Sequence, residues 1–264
     1  MTSDEYVRGQ WDLFAKIWSR DIEKDGNRNY ILAPASKKMM GDIKGLEVLD
    51  LACGEGYFSR LLASAGARVS GLDISKNLIE FARGKEEDSP LGIEYHVGDA
   101  KDLELESGCF DMVHCSMALM DIIEYEQAIG EVSRVLKEGG RFIFSIVHPC
   151  FFSSRTRDGE PMCQTERETQ EDGTRIYHYM KVYDYNTRHK VSTNWMKDGK
   201  PYLPTPLVNF HRTLSDYVNA LGRHGLYITG MDEPIPTEEG IKIFKDDKDI
   251  RIPNFMIIEA IKIP

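Results

Sequence analysis

From residue 46 onward, short apolar runs alternate with segments whose apolar residues recur at helical spacing. Val48, Leu49 and Leu51 predict a buried strand over 47–52, and Tyr57, Phe58, Leu61 and Leu62 predict a helix over 57–65. Gly66 suits the position just past that helix. The pattern repeats as a strand at 67–73, a helix at 76–84, strands at 93–98 and 112–116, a helix at 125–136 ending at Gly139-Gly140, and a strand at 141–147. Such alternation builds a parallel sheet with helices on both faces. Ahead of it, residues 1–45 read as a helical cap in which Trp11, Phe14, Ala15 and Trp18 share a face and Pro34 suits a helix start.

After residue 147 the alternation stops. Residues 148–212 are too long for a connecting loop and carry strand signals of their own. TRIYHYMKVYDY alternates with Tyr177, Tyr179, Tyr183 and Tyr185 on one face, and MKDGK marks a turn between Trp195 and Tyr202. A small antiparallel insertion is expected here, lying as a lid over the edge of the sheet. Residues 213–264 then return to the sheet, with a helix capped by Thr213 or Ser215, a strand at 226–231, a polar loop and a last strand at 255–262.

No run approaches the ~18 apolar residues of a membrane span, and the N-terminus has neither a basic start nor an apolar signal core. A cytoplasmic protein is expected. The five cysteines form no C-x-x-C pair, so free thiols and no metal site are expected. A formal charge of −10 disfavours a nucleic-acid surface. The insertion departs from this balance, with ten basic against eight acidic residues and four of the seven histidines.

In parallel sheets ligands bind beyond the carboxyl ends of the strands, so the residues there carry the chemistry. Asp50 lies inside an apolar run and is costly to bury without a partner. Gly54 and Gly56 permit positive φ and close approach of a ligand, and the helix they open presents free N–H groups. Asp73 follows the second strand and can accept from both hydroxyls of a ribose; Asp99 follows the third and can accept from an adenine amine. Ile74 and Ala100 beside them can pack on a base, and Ser116-Met117 follow the fourth strand.

VLDLACGEGYFSRLLA, GLDIS, YHVGDAKDL, FDMVHCS and LKEGGRFIFS together resemble the successive motifs of class I S-adenosylmethionine-dependent methyltransferases. The resemblance covers residues 46–147 densely and resumes at the last two strands. It implies a Rossmann-like seven-stranded α/β sheet, with S-adenosylmethionine as cofactor. It places the methionine moiety on the turn from Ala52 through Gly54 and Gly56 to Tyr57, the ribose on Asp73, the adenine on Asp99 and Ala100, and the sulfonium near Met117.

Two other classes share parts of this pattern. An NAD-dependent oxidoreductase would use Asp73, but G-E-G-Y-F-S lacks the third glycine of G-x-G-x-x-G. A non-catalytic S-adenosylmethionine-binding regulatory module would keep the same strand ends. The expected acceptor is an oxygen of a small molecule or a peptide carboxylate, with no membrane partner. His148, just past the fifth strand, is the candidate base; Trp18, Tyr30, Tyr177, Tyr179, His211 and Arg212 are the candidate acceptor wall.

Overall fold

The structure is a computed structural model that describes residues 4–151, 162–193, 196–197, 200–201, 203–244 and 248–263. The N-terminal segment forms α1 (Asp4–Asp21) and, after a short 3₁₀ and a π turn, α2 (Ala33–Met40). The strand–helix series follows as β1 (Glu47–Leu51), α3 (Tyr57–Ser64), β2 (Arg68–Asp73), α4 (Lys76–Asp88), β3 (Glu94–Val97), β4 (Phe110–Ser116), α5 (Tyr125–Val135) and β5 (Leu136–Val147). The insertion contributes β6 (Cys163–Thr169), β7 (Arg175–Val182), β8 (His189–Thr193), β9 (Met196–Lys197), β10 (Lys200–Pro201) and β11 (Leu207–His211). The chain ends through α6 (Leu214–Arg223), β12 (Leu226–Asp232), α7 (Glu238–Phe244), α8 (Lys248–Arg251) and β13 (Phe255–Lys262).

Seven strands form one sheet in the order β12-β13-β5-β4-β1-β2-β3. β13 runs opposite to the other six strands of this sheet, pairing Ile258 with Phe144 on β5 and with Met231 on β12. The order reverses between β1 and β4, which opens a crevice at their carboxyl ends. One apolar layer joins β4 and β5 to α5 and α6 through Val113, Phe142, Phe144, Ile129 and Tyr217. The other packs Val48, Val69, Met112 and Ile143 against Leu62 of α3 and Ile79 of α4.

Local chemistry sets several boundaries. Ser75 caps the start of α4 by accepting from the Leu78 N–H, and that helix runs past its expected end at Gly84 to Asp88. Thr213 and Asp216 form a full capping box at α6. The helix expected to reach Gly139-Gly140 stops at Val135, because Leu136 already pairs with Phe110. The two glycines instead form an irregularity inside β5, after which Arg141 pairs with Met112.

The insertion is three two-stranded antiparallel pieces, β6–β7, β8–β11 and β9–β10, among the described residues. Trp195, Tyr202 and the Asp198-Gly199 turn lie outside the described residues. A bulge in the β6–β7 ladder leaves His178 without a partner between Tyr177 and Tyr179. That extra residue breaks the period-two alternation, so Tyr177 is buried while Tyr179 is exposed, and the single tyrosine face does not form.

Candidate active site

The buried Asp50 is balanced by its neighbours across the sheet and above it. His114 lies directly opposite on β4 and its Nδ1 is 2.9 Å from one carboxylate oxygen; Ser59 of α3 donates to the other at 2.6 Å. This fixes β1, β4 and α3 to one another below the turn that follows β1. In that turn Ala52 and Gly54 both have positive φ, at 55° and 58°. Positive φ is costly for alanine and free for glycine. Asp73, at the end of β2, holds the turn by accepting from the Gly54 N–H at 2.9 Å and the Ser75 N–H at 2.8 Å. Burial pushes the Asp73 carboxyl up to about 6, against the pull of these two N–H bonds.

Beyond these strand ends lies a cavity of about 350 Å³. Asp50, Ala52, Gly54, Tyr57, Asp73, Ile74, Asp99, Ala100, Ser116 and Met117 all border it, as does Trp18 from the cap. Asp99 is braced by the Lys101 N–H at 3.0 Å. Met117 has a positive φ of 56°, and Ser145 holds it there through a carbonyl that accepts its N–H at 2.9 Å. Backbone strain of this kind gathers at ligand sites.

Gly56 differs from the expectation. It does not border the cavity, and a Cβ there would sit 2.4 Å from the Tyr95 hydroxyl and 3.2 Å from Ala82. The glycine is needed for its φ of 83° and for close packing of the turn on Tyr95, not for the approach of a ligand.

Further residues border the cavity from the cap, from the turns after β1, β3 and β4, and from the insertion. Glu55 is 1% exposed and accepts from Trp18 Nε1 at 3.0 Å and from Arg28 Nη1 at 2.7 Å. The Arg28 guanidinium also lies 4.3 Å from the centre of the Tyr57 ring. On the next strand, Asp12 of α1 accepts from Ser75 Oγ at 2.6 Å. The cap is thus tied to the ends of both β1 and β2. Arg28 and Lys101 are the cationic side chains bordering the cavity, against the acids Asp25, Asp50, Glu55, Asp73, Asp99 and Asp121. The opposite side is apolar, with Met120, Ile122, Val147, Leu207 and Phe255, and adds Asn209 from β11.

The expected acceptor wall is not assembled. His148 is 3% exposed and does not border the cavity; its Nε2 is 2.8 Å from Glu233 and its Nδ1 accepts the Cys150 N–H at 3.2 Å. With one ring nitrogen engaged in the turn after β5 and the other by Glu233 just past β12, it has no free position for a substrate proton. Arg212 is 7% exposed and donates to the carbonyls of Leu119, Ile122 and Ile123 while stacking 4.1 Å from the Tyr125 ring centre. His211 borders a separate cavity with Arg188 and Asp216, and its Nε2 is 2.8 Å from the Tyr185 carbonyl oxygen. Tyr177 accepts from Arg167 and Tyr179 donates to Glu166, both on β6. Tyr30 packs on Phe244. For His148, Arg212, His211, Tyr177 and Tyr179, partners within the fold take polar groups that sequence alone leaves free.

Residues 49–144 match the family described as a methyltransferase domain. The domain belongs to the class I S-adenosylmethionine-dependent methyltransferases. Over 110 residues the chain is 39% identical to the demethylmenaquinone methyltransferase of Lactococcus lactis, covering 40% of this chain and 44% of that one. Over 109 residues it is 34% identical to the ubiquinone biosynthesis O-methyltransferase of Coxiella burnetii, covering 41% and 47%. The chain thus spans about half the length of these curated relatives. A crystal structure of an S-adenosylmethionine-dependent methyltransferase from Mesorhizobium loti superposes with a TM-score of 0.67 at 28% identity, over 86% of this chain and 96% of that one. In the methyltransferase domain, S-adenosylmethionine is the cofactor whose groups the strand-end residues suit. Gly54 leaves open space toward Trp18, whose Nε1 lies 4.0 Å from where a Cβ would stand, and acids end β2 and β3.

Proposed function

We propose that the protein transfers a methyl group from S-adenosylmethionine to an oxygen of a small, largely apolar molecule. The observation that carries this reading is one cavity that joins a polar end, built from the ends of β1, β2 and β3, to an apolar end built from Met120, Ile122, Val147, Leu207 and Phe255. In the polar end Arg28 would receive the cofactor's carboxylate, Asp73 its ribose hydroxyls, and Asp99 with Ile74 and Ala100 its adenine. The bound cofactor supplies an electrophilic methyl on a cationic sulfur. The chain's contribution is to hold the two reactants in line in a site shielded from water, where positioning accounts for much of the rate. The names of the Lactococcus and Coxiella relatives support a small-molecule acceptor, and the latter supports oxygen. A peptide carboxylate loses its support, because Arg212, the group meant to hold it, is spent on backbone carbonyls.

Titration calorimetry with S-adenosylhomocysteine and with NAD tests the first half. Saturable binding of the former and none of the latter is expected. Tight NAD binding with no response to S-adenosylhomocysteine would sink the proposal.

A further inference from the structure

At the apolar end of the cavity one carboxyl group is out of keeping with its surroundings. Asp121 is 6% exposed, borders the cavity, and its Oδ1 is buried with no hydrogen-bond partner among the described residues. The residues on either side of it in the chain, Met120 and Ile122, also border the cavity and carry apolar side chains. Burying a carboxylate in this way is costly, and such a group on the border of a cleft is a candidate functional group. Asn209, 7% exposed, is the second polar side chain of that end. The Phe210 N–H donates to the Met120 carbonyl at 2.8 Å, which sets β11 beside the loop that carries Asp121. Arg212 holds the same loop through three carbonyls, on either side of Asp121 in sequence. The charged and titratable groups acting on the Asp121 carboxyl are Arg212, Tyr217 and Cys115. Burial holds that carboxyl well above the usual carboxylate range, only partly offset by Arg212, so the group is more basic than an exposed one.

We propose that Asp121 accepts the proton of a neutral hydroxyl, phenolic or enolic, on an apolar acceptor that Asn209 helps to orient; the assignment rests on the methyltransferase reading above. As the acceptor oxygen bonds to the methyl carbon, the carbon–sulfur bond breaks with its electron pair left on sulfur. The hydroxyl proton passes to the Asp121 carboxylate and later to solvent. A carboxylate acceptor would be repelled by Asp121 and find no free cation there. An ammonium acceptor would meet the positive charge of Arg212 near the same carboxyl.

The test uses the whole protein saturated with S-adenosylhomocysteine, and 2-naphthol, 2-naphthoate and 2-(aminomethyl)naphthalene as probes. Affinity for S-adenosylhomocysteine is expected to be the same in wild type, Asp121→Asn and Asp121→Leu; its absence in wild type would fell the methyltransferase reading itself, not this assignment alone. 2-Naphthol is expected to bind wild type more tightly than the other two probes, and to weaken about tenfold or more in Asp121→Leu, which can accept no hydrogen bond. Asp121→Asn should still bind it but lose about 10²–10⁴ in methyl transfer, the share of a general base. Both variants should melt at a higher temperature than wild type at pH 8, because an unpaired buried carboxylate has been removed. The assignment is overturned if 2-naphthol fails to bind wild type, binds Asp121→Leu equally well, or binds more weakly than either charged probe. Full transfer in Asp121→Asn, or a lowered melting temperature in both variants, would overturn it as well.

Discussion

At the scale of single residues, the cavity is organised by carboxyl groups whose partners differ. Asp50 is paired within the sheet by His114 and Ser59, Asp73 is braced by two backbone N–H groups, and Asp121 Oδ1 has no partner among the described residues. The first ties the strands together beneath the turn, and the other two are the ones proposed to meet ligands. In the cofactor role proposed for it, Asp73 is expected to make cofactor binding depend on pH. Its carboxyl titrates near 6 in the folded chain, above the ~3.9 of an unfolded aspartate. With the folded value raised, this group costs stability progressively as pH climbs from about 4 through 6. Ribose hydroxyls donating to the ionised form would offset that cost. Affinity for S-adenosylhomocysteine should thus rise between pH 5 and pH 7 in wild type. Asp73→Asn should lose about 1.5–3 kcal/mol of binding at neutral pH and most of the pH dependence. Calorimetric titrations across that range check this; parallel curves for the two proteins would make Asp73 a turn residue only.

At the scale of elements, β11 and the segment between β4 and α5 act as one unit. Arg212, just past β11, ties the carbonyls of Leu119, Ile122 and Ile123, and the Phe210 N–H ties Met120. Between them they fix the backbone around Asp121. Arg212→Ala should therefore act first on stability. The loss should be at least the ~1.5–3 kcal/mol of one charge-assisted bond, seen as a melting temperature lower by several degrees. An Arg212→Ala protein that melts like wild type but has a much higher KM would restore Arg212 as a group that touches substrate. His148, locked by Glu233 and Cys150, belongs likewise to the turn after β5.

At the scale of the whole molecule, the cavity is closed by parts far apart in sequence. The sheet supplies the floor, α1 and the turns after it supply Trp18 and Arg28, and the insertion supplies Leu207 and Asn209. The cap and the insertion also meet directly: Gln10 donates to the Pro206 carbonyl at 2.6 Å, and Phe14 packs with Leu203 and Leu207. Asp12, through Ser75 and Asn77, latches α1 to the start of α4. Asp12→Ala is expected to speed hydrogen exchange in α1 and to weaken binding of S-adenosylhomocysteine together. Exchange across residues 4–21 with and without that ligand measures the coupling; a variant with faster exchange but unaltered affinity would show that the cap plays no part in holding the cofactor.

The sequence by itself determined the sheet, its order of elements and the strand-end residues that border the cavity. These features are local: a buried strand, a turn and a helix start are written in adjacent residues, and a ligand that binds strand ends reads the residues next to them. Hence Asp73, Asp99, Gly54 and Met117 were legible before any contact was known, and so was the seven-stranded class. What only the tertiary structure decided was which polar groups of the cap and insertion are left over for a ligand. Whether an arginine or histidine meets substrate depends on carbonyls and carboxylates distant in the chain. Arg212 and His148 found such partners and were withdrawn from the site, while Asp121 borders the cavity with its Oδ1 unpartnered among the described residues. Gly56 marks the same boundary. Its presence in the motif was readable, but the reason for it, the hydroxyl of Tyr95 beyond β2, lies on a neighbouring strand that only folding brings near.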